Sequence, residues 1–152
     1  MLSKNIEIAL NKQIRIEAES SQTYLSMACW AEIHGLESIA QFMYAQSEEE
    51  RIHMLKLIKY VNERGGRSHI SDLKAPITSY TTFKEMFEEL YKHEIFVSDS
   101  INELVHITFS EKDYATHNFL QWYVAEQIEE EATAKNILDK INMIGDDKSG
   151  LY

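Results

Sequence analysis

Glu50 and His53, within the stretch SEEERIHML at residues 47–55, are an acid and an imidazole one helical turn apart, on the side that also carries Leu57 and Val61. Three further acids, Glu17, Glu94 and Glu130, interrupt apolar stripes elsewhere in the chain in the same manner. Brought together, four carboxylates and one imidazole form an oxygen and nitrogen ligand set whose negative charge matches a pair of divalent cations. Glu-x-x-His alone is a weak signal, because the spacing arises by chance in many helices. The question is whether the chain carries all five residues to one place.

The elements that would do so can be read from the breaks. The chain has 152 residues, the size of one ordinary domain, and 44% of them are hydrophobic, enough for a sizeable core. Its glycines are Gly35, Gly65, Gly66, Gly145 and Gly150, its single proline is Pro76, and long stretches contain no breaker. Four helices fit between these points, at about residues 4–33, 39–64, 83–109 and 114–144. Ser3 and Asp113 are placed to cap the first and fourth, and the pairs Ser38/Gln41 and Thr82/Glu85 are spaced as capping boxes for the second and third.

Short connections, IHGLES and SEKD, make antiparallel hairpins of the first two and last two helices. Residues 65–82 form a longer link that could travel roughly 55 Å extended. That exceeds the ~40 Å length of the neighbouring helix. The expected fold is therefore all-α: a single-domain four-helix bundle over residues 1–152 with one long crossover between the second and third helices.

The helical periodicity then locates the faces. The first helix aligns Ile6, Leu10, Ile14, Ser21, Tyr24, Leu25 and Ala28, broken by Glu17; the second aligns Ile39, Phe42, Met43, Leu57 and Val61, broken by Glu50 and His53. The third runs from Phe83, Phe87 and Leu90 to Val97, Ile101, Leu104, Val105 and Thr108, broken by Glu94. The fourth, Phe119, Tyr123, Ala134, Ile137, Ile141 and Ile144, is broken by Gln127 and Glu130. Each acid lies within about two residues of its helix midpoint, an axial offset of only ~3 Å, so the five residues are expected in one layer.

Buried carboxylates cost several kcal/mol each unless compensated. Two divalent cations would compensate this layer, and its ligands favour iron or manganese over a closed structural zinc site. The alternative is a buried polar network or a water-filled gap tuned for specificity. Glu48 and Glu131 read as solvated, His34, His69, His93, His106 and His117 as surface or loop residues, and Trp122 as structural.

Net charge is −10, from 25 acids and 15 bases, which argues against nucleic acid or an anionic membrane as partner. Cys29 alone allows no intrachain disulfide, the start MLSKNIEIALNKQ scatters charge where a signal peptide needs an apolar run, and no apolar run approaches a membrane span. A cytoplasmic protein is expected.

Through EEERIHM, YKHE, NELVH, FLQWYVAEQIEEE and the ending SGLY, essentially the whole chain resembles the bacterial non-haem ferritins. Inward Glu and Glu-x-x-His residues are a known feature of ferritin-like di-iron proteins. The resemblance implies one iron held by Glu17, Glu50 and His53 and a second by Glu94 and Glu130, with Glu50 bridging and Gln127 a hydrogen-bonding neighbour. It also implies a third, weaker iron site at Glu49, Glu126 and Glu129 with Glu130 shared. Tyr24 matches the family's tyrosine beside the centre, which supplies an electron, although plain core packing accounts for it equally well.

The implied activity is ferroxidase: O2 or peroxide oxidises Fe(II) to Fe(III), which hydrolyses and joins a mineral inside a homo-oligomeric shell of 24 subunits. Rival readings are a di-iron oxygenase or peroxide-consuming protein, which would need an apolar substrate pocket, and a metal-binding helical scaffold. Bacterioferritin-like chains carry a second Glu-x-x-His and a haem-ligating methionine where this one has Gln127, Glu130 and Arg51, so no haem is expected. The cysteine-rich module of rubrerythrin-like peroxidases cannot be built from Cys29. Related chains continue into a fifth helix at a fourfold axis; this sequence stops at Tyr152, so a tail lies outside it or the fourfold contacts differ.

Overall fold

A computed structural model describes residues 1–144, and the SGLY ending at 149–152 lies outside them. Four helices occupy this span: α1 (Lys4–Ile33), α2 (Glu37–Glu63), α3 (Phe83–Ser110) and α4 (Tyr114–Ile144). Three boundaries follow from side-chain caps. The Ser3 hydroxyl accepts from the Ile6 amide, Thr82 Oγ1 from the Glu85 amide, and Asp113 Oδ1 from the Thr116 amide, each taking one of the donors a helix start leaves unpaired.

The second helix departs from expectation. It begins at Glu37, two residues early, behind Leu36, with no side-chain cap, and the Ser38/Gln41 box does not form. Gly35, at φ 73°, closes the end of α1, and Leu36 returns its amide to the Ala31 carbonyl and buries its side chain. Anchoring Leu36 in the core sets the entry of α2, and Ser38 is left exposed. At the third helix, Glu85 reaches back to the Thr81 amide, one residue outside a regular capping box.

The bundle's directions are visible in its cross-links. Leu2 N donates to Arg64 O, joining the start of α1 to the end of α2. Between α1 and α3, Ser100 meets Gln13 while Tyr24 meets Glu94, which sets those helices antiparallel. The crossover passes Asn11, which bonds Arg67 O and His69 N, then receives the Ser26 hydroxyl at Ile77 O, and brings Tyr80 against Trp30. It therefore traverses α1 along much of its length, and α3 starts parallel to α2, as its length predicts.

The core is divided. One apolar cluster, including Met27, Met43, Met86 and Phe87, fills one end of the bundle; another, including Ile6, Leu10, Leu57 and Ile101, fills the other. Between them lies a polar layer, positioned because both ends bury apolar side chains while every stripe is interrupted at mid-helix. The α1 stripe is corrected in one respect: Leu25 is 40% exposed, and the inward turn uses Ser20, Tyr24, Met27 and Ala31 instead. Leu25 lies about 100° around the helix from Tyr24, too far for both to face inward. No described helix is long and apolar enough to cross a membrane.

Candidate metal centre

Each helix contributes to the layer. Glu17 comes from α1, Glu50 and His53 from α2, Glu94 from α3, and Gln127 and Glu130 from α4; the least buried, Glu130, is 8% exposed. Potential ligand atoms of Glu17, Glu50 and His53 lie within 4.8 Å of one another, and so do those of Glu50, Glu94 and Glu130. The two sets are adjacent and share Glu50, which the chain places at their junction.

Burial dominates the electrostatics. It raises Glu17 well above the usual carboxylate range, with the nearby Glu50 charge adding to it. Glu50 is pushed up to about 8 by burial, opposed by a hydrogen bond with Glu17 and reinforced by the charges of Glu130, Glu49 and Glu126. Glu130 rises to about 8 by burial and the charge of Glu94. Glu94 rises less, to about 7, because the Gln127 amide stabilises its charged form.

Hydrogen bonds orient only some of these oxygens. Gln127 Nε2 donates to Glu94 Oε2 and to the Glu94 carbonyl, both at 3.2 Å, and also lies 3.1 Å from Ser98 Oγ. The Tyr24 hydroxyl donates to Glu94 Oε1, so this tyrosine is both a core side chain, 1% exposed, and a partner of the acid layer. Tyr123 donates to the His53 carbonyl at 2.7 Å and holds that turn of α2. In contrast, Oε2 of Glu17 and Oε2 of Glu50 are buried without a hydrogen-bond donor among the described residues. Glu50 Oε2 lies 3.3 Å from His53 Nδ1 but makes no hydrogen bond to it. Two ionised carboxylates so placed need a shared proton or a cation, and a hard oxygen-rich set with one imidazole fits iron.

The three outer acids take a different position. Glu49 and Glu129 are exposed and Glu126 is half-buried. With Gln46, His53, Trp122 and Glu130 they line a cleft of about 560 Å³ leading from solvent to the layer. Glu126 Oε2 is 3.8 Å from His53 Nε2. Trp122 sets its ring edge-on to His53 at 5.1 Å and carries Lys56 Nζ 3.6 Å from its own centroid, so it packs one wall of the imidazole.

Three residues depart from the sequence reading. His93 is half-buried, with Nε2 2.7 Å from Ser20 Oγ and its ring edge-on to Tyr24; burial lowers it to about 4. Glu131 is not a solvated face: it is half-buried, accepts from Ser98 and helps raise Glu94. Gln13, 2% exposed, stands four residues before Glu17 and donates to it. The i, i+4 spacing of Gln13 and Glu17 was the available signal, whereas His93 depended on knowing which residue α1 presents to α3.

Known proteins place the chain. Its sequence matches the Ferritin-like domain family over residues 7–144. It is 47% identical to a probable bacterial non-heme ferritin-like protein of Haemophilus influenzae, over 100% of this chain and 92% of that protein. It is 43% identical to a bacterial non-heme ferritin of Campylobacter jejuni, over 100% of this chain and 91% of the relative. In structure it superposes on an open-pore ferritin from the hyperthermophilic archaeon Archaeoglobus fulgidus with a TM-score of 0.98 and 43% identity, covering 99% of this chain and 93% of the other. A Chlorobium tepidum ferritin gives 0.94 and 43%, covering 99% and 91%. A four-helix bundle with a buried acid layer, matched over nearly its whole length by these proteins, belongs to the ferritin family.

Proposed function

We propose that this protein stores iron, oxidising Fe(II) at the buried layer and retaining the ferric product inside a homo-oligomeric shell of 24 copies in the cytoplasm. The observation that carries the reading is the pair of buried ligand sets meeting at Glu50, with donorless oxygens on Glu17 and Glu50. Glu17, Glu50 and His53 would hold one Fe(II) as substrate, and Glu94 and Glu130 the other, with Glu50 serving both. Gln127 and Tyr24 both hydrogen-bond Glu94, and Tyr24 would lend an electron. Glu49, Glu126 and Glu129, with Glu130, would hold a third and weaker iron at the cleft mouth. No residue is assigned to haem.

Two Fe(II) supply two electrons. With two protons these reduce O2 to hydrogen peroxide, or hydrogen peroxide to two waters, and protons displaced from Glu50 and Glu130 by the incoming ions are available for the step. Glu49, Glu126, Glu129 and Glu130 line the cleft beside the layer, among the apolar Phe42, Ile52 and Trp122, and supply the carboxylates that attract cations toward it. The test is aerobic addition of Fe(II) to the purified protein followed by sizing. A ferric product many times the subunit number, eluting with a large particle, is expected. Retention of only about two irons per chain would indicate an oxygenase-type centre, and no acceleration of oxidation a scaffold.

A further inference from the structure

Gln13 is almost completely buried, at 2% exposure, yet it lies outside the ligand sets. Its side chain spans from Glu17 in the acid layer to Ser100 on α3. Nε2 lies 3.5 Å from Glu17 Oε1, and Oε1 accepts the Ser100 hydroxyl of α3 at 2.6 Å. The Ser100 hydroxyl donates to the carbonyl end, which leaves the NH2 end facing Glu17 Oε1, an acceptor in the form that would bind a cation. Both ends of the amide are thereby committed. Ser100 is half-buried and lines, together with Gln13, a cleft of about 250 Å³ between α1 and α3, on a separate surface from the acidic cleft.

We infer that Gln13 is a positioning residue for metal binding, holding Glu17 by Oε1 so that Oε2 alone is presented to the position shared with Glu50 and His53, with Ser100 locking the amide. The inference rests on the proposed function above. Among the described residues Gln13 is the one donor to Glu17 from outside the ligand sets, and Glu17 Oε2 has no donor. Without Gln13 the carboxylate is free to rotate and to offer both oxygens. The cost falls on one position of the pair, because Glu94 has its own donors in Gln127 and Tyr24. Outer partners of this kind fix ligand orientation in metal sites generally.

The test is anaerobic titration of the full chain with Co(II), read by its visible d–d absorption and by calorimetry. Wild type should bind two ions tightly per chain. Gln13→Leu should weaken one of the two by roughly tenfold, the lower end of the range for losing an outer partner, and alter its band intensity as the Glu17 coordination mode changes. The other position should keep its affinity and spectrum. Ser100→Ala should give a smaller change of the same kind, and Ser100→Thr, which keeps the hydroxyl, should restore wild-type values. Wild-type affinity and spectrum in Gln13→Leu would overturn the inference, as would equal weakening of both positions, which marks general loosening. If Gln13→Leu does not fold, Ser100→Ala decides, and a wild-type spectrum there overturns it. Wild type binding fewer than two Co(II) would instead remove the metal centre itself, and this inference with it.

Discussion

Glu17 on α1 and Glu50 on α2 face each other in the middle of the bundle, each with an Oε2 that no donor among the described residues reaches. They are 1% and 2% exposed, so water does not compensate them. The arrangement costs folding energy, and the same cost is what a divalent cation removes when it binds.

Substituting Glu50→Gln should therefore move stability and function in opposite directions. The amide can donate to Glu17 Oε2 and carries no charge, so above about pH 8, where Glu50 is ionised, the metal-free variant should be more stable by roughly 1–2 kcal/mol, several degrees in melting temperature. Iron oxidation should fall by more than the roughly 10- to 100-fold typical of losing an outer partner, because Glu50 would serve both ions. Calorimetric melting and stopped-flow oxidation check the two halves. A variant oxidising iron at the wild-type rate would remove the shared role of Glu50, and His53→Ala should affect only the first iron, giving half occupancy in titration.

Metal-free stability should decline as pH rises from about 6.5 to 8. Glu50 and Glu130 move from the ordinary 4.5 to about 8, and Glu94 to about 7, so over this window the folded chain holds more protons than the unfolded one. The slope of unfolding free energy against pH is then negative. His93 acts oppositely between about 4 and 6.5, being lowered by burial, which places the clearest decline above that range. Thermal melts across the window should show the fall, and protein loaded with Zn(II) should not. At pH 7 loading should release on the order of three protons per chain, from Glu17, Glu50, Glu130 and in part Glu94, measurable by calorimetry in buffers of different ionisation enthalpy.

Replacing Glu126 and Glu129 with alanine removes two carboxylates from the cleft without opening the buried layer. The first two irons per chain should oxidise at the wild-type rate, while oxygen consumed per iron, or turnover into mineral, changes at higher loading. Oxygen uptake at rising iron-to-protein ratios measures both. Failure of the first two irons to oxidise would place these acids in the primary centre, and no change at any ratio would leave them a solvated helix face.

Tyr24→Phe should keep the fold, since the ring packs in the core and only the donation to Glu94 is lost. The expected cost is about 1.5–3 kcal/mol, typical of a hydrogen bond to a charged group. Two-ion binding should survive, and any transient tyrosyl signal seen by electron paramagnetic resonance during oxidation should disappear. A signal that persists would assign it to another side chain.

The sequence by itself determined the four helices, their crossover and the axial level of the acids, because these depend on local quantities: breakers, caps, helical period and distance along a helix of 1.5 Å per residue. It also singled out Glu17, Glu50, His53, Glu94 and Glu130 as interruptions of apolar stripes, which needs no partner to recognise. Tertiary structure decided what depends on rotation about each helix axis and on contacts between helices. It turned Leu25 outward and Ser20 inward, set Leu36 as the anchor of α2 in place of Ser38, buried His93 against Ser20 and Tyr24, and gave Glu131 a partner in Ser98. An error of one residue in phase turns a side chain by about 100°, and the stripe alone tolerates that error while a hydrogen bond across two helices does not. The pairing of Gln13 with Ser100 belongs to this second kind: 87 residues separate them, and only the packing of α1 on α3 brings them to 2.6 Å.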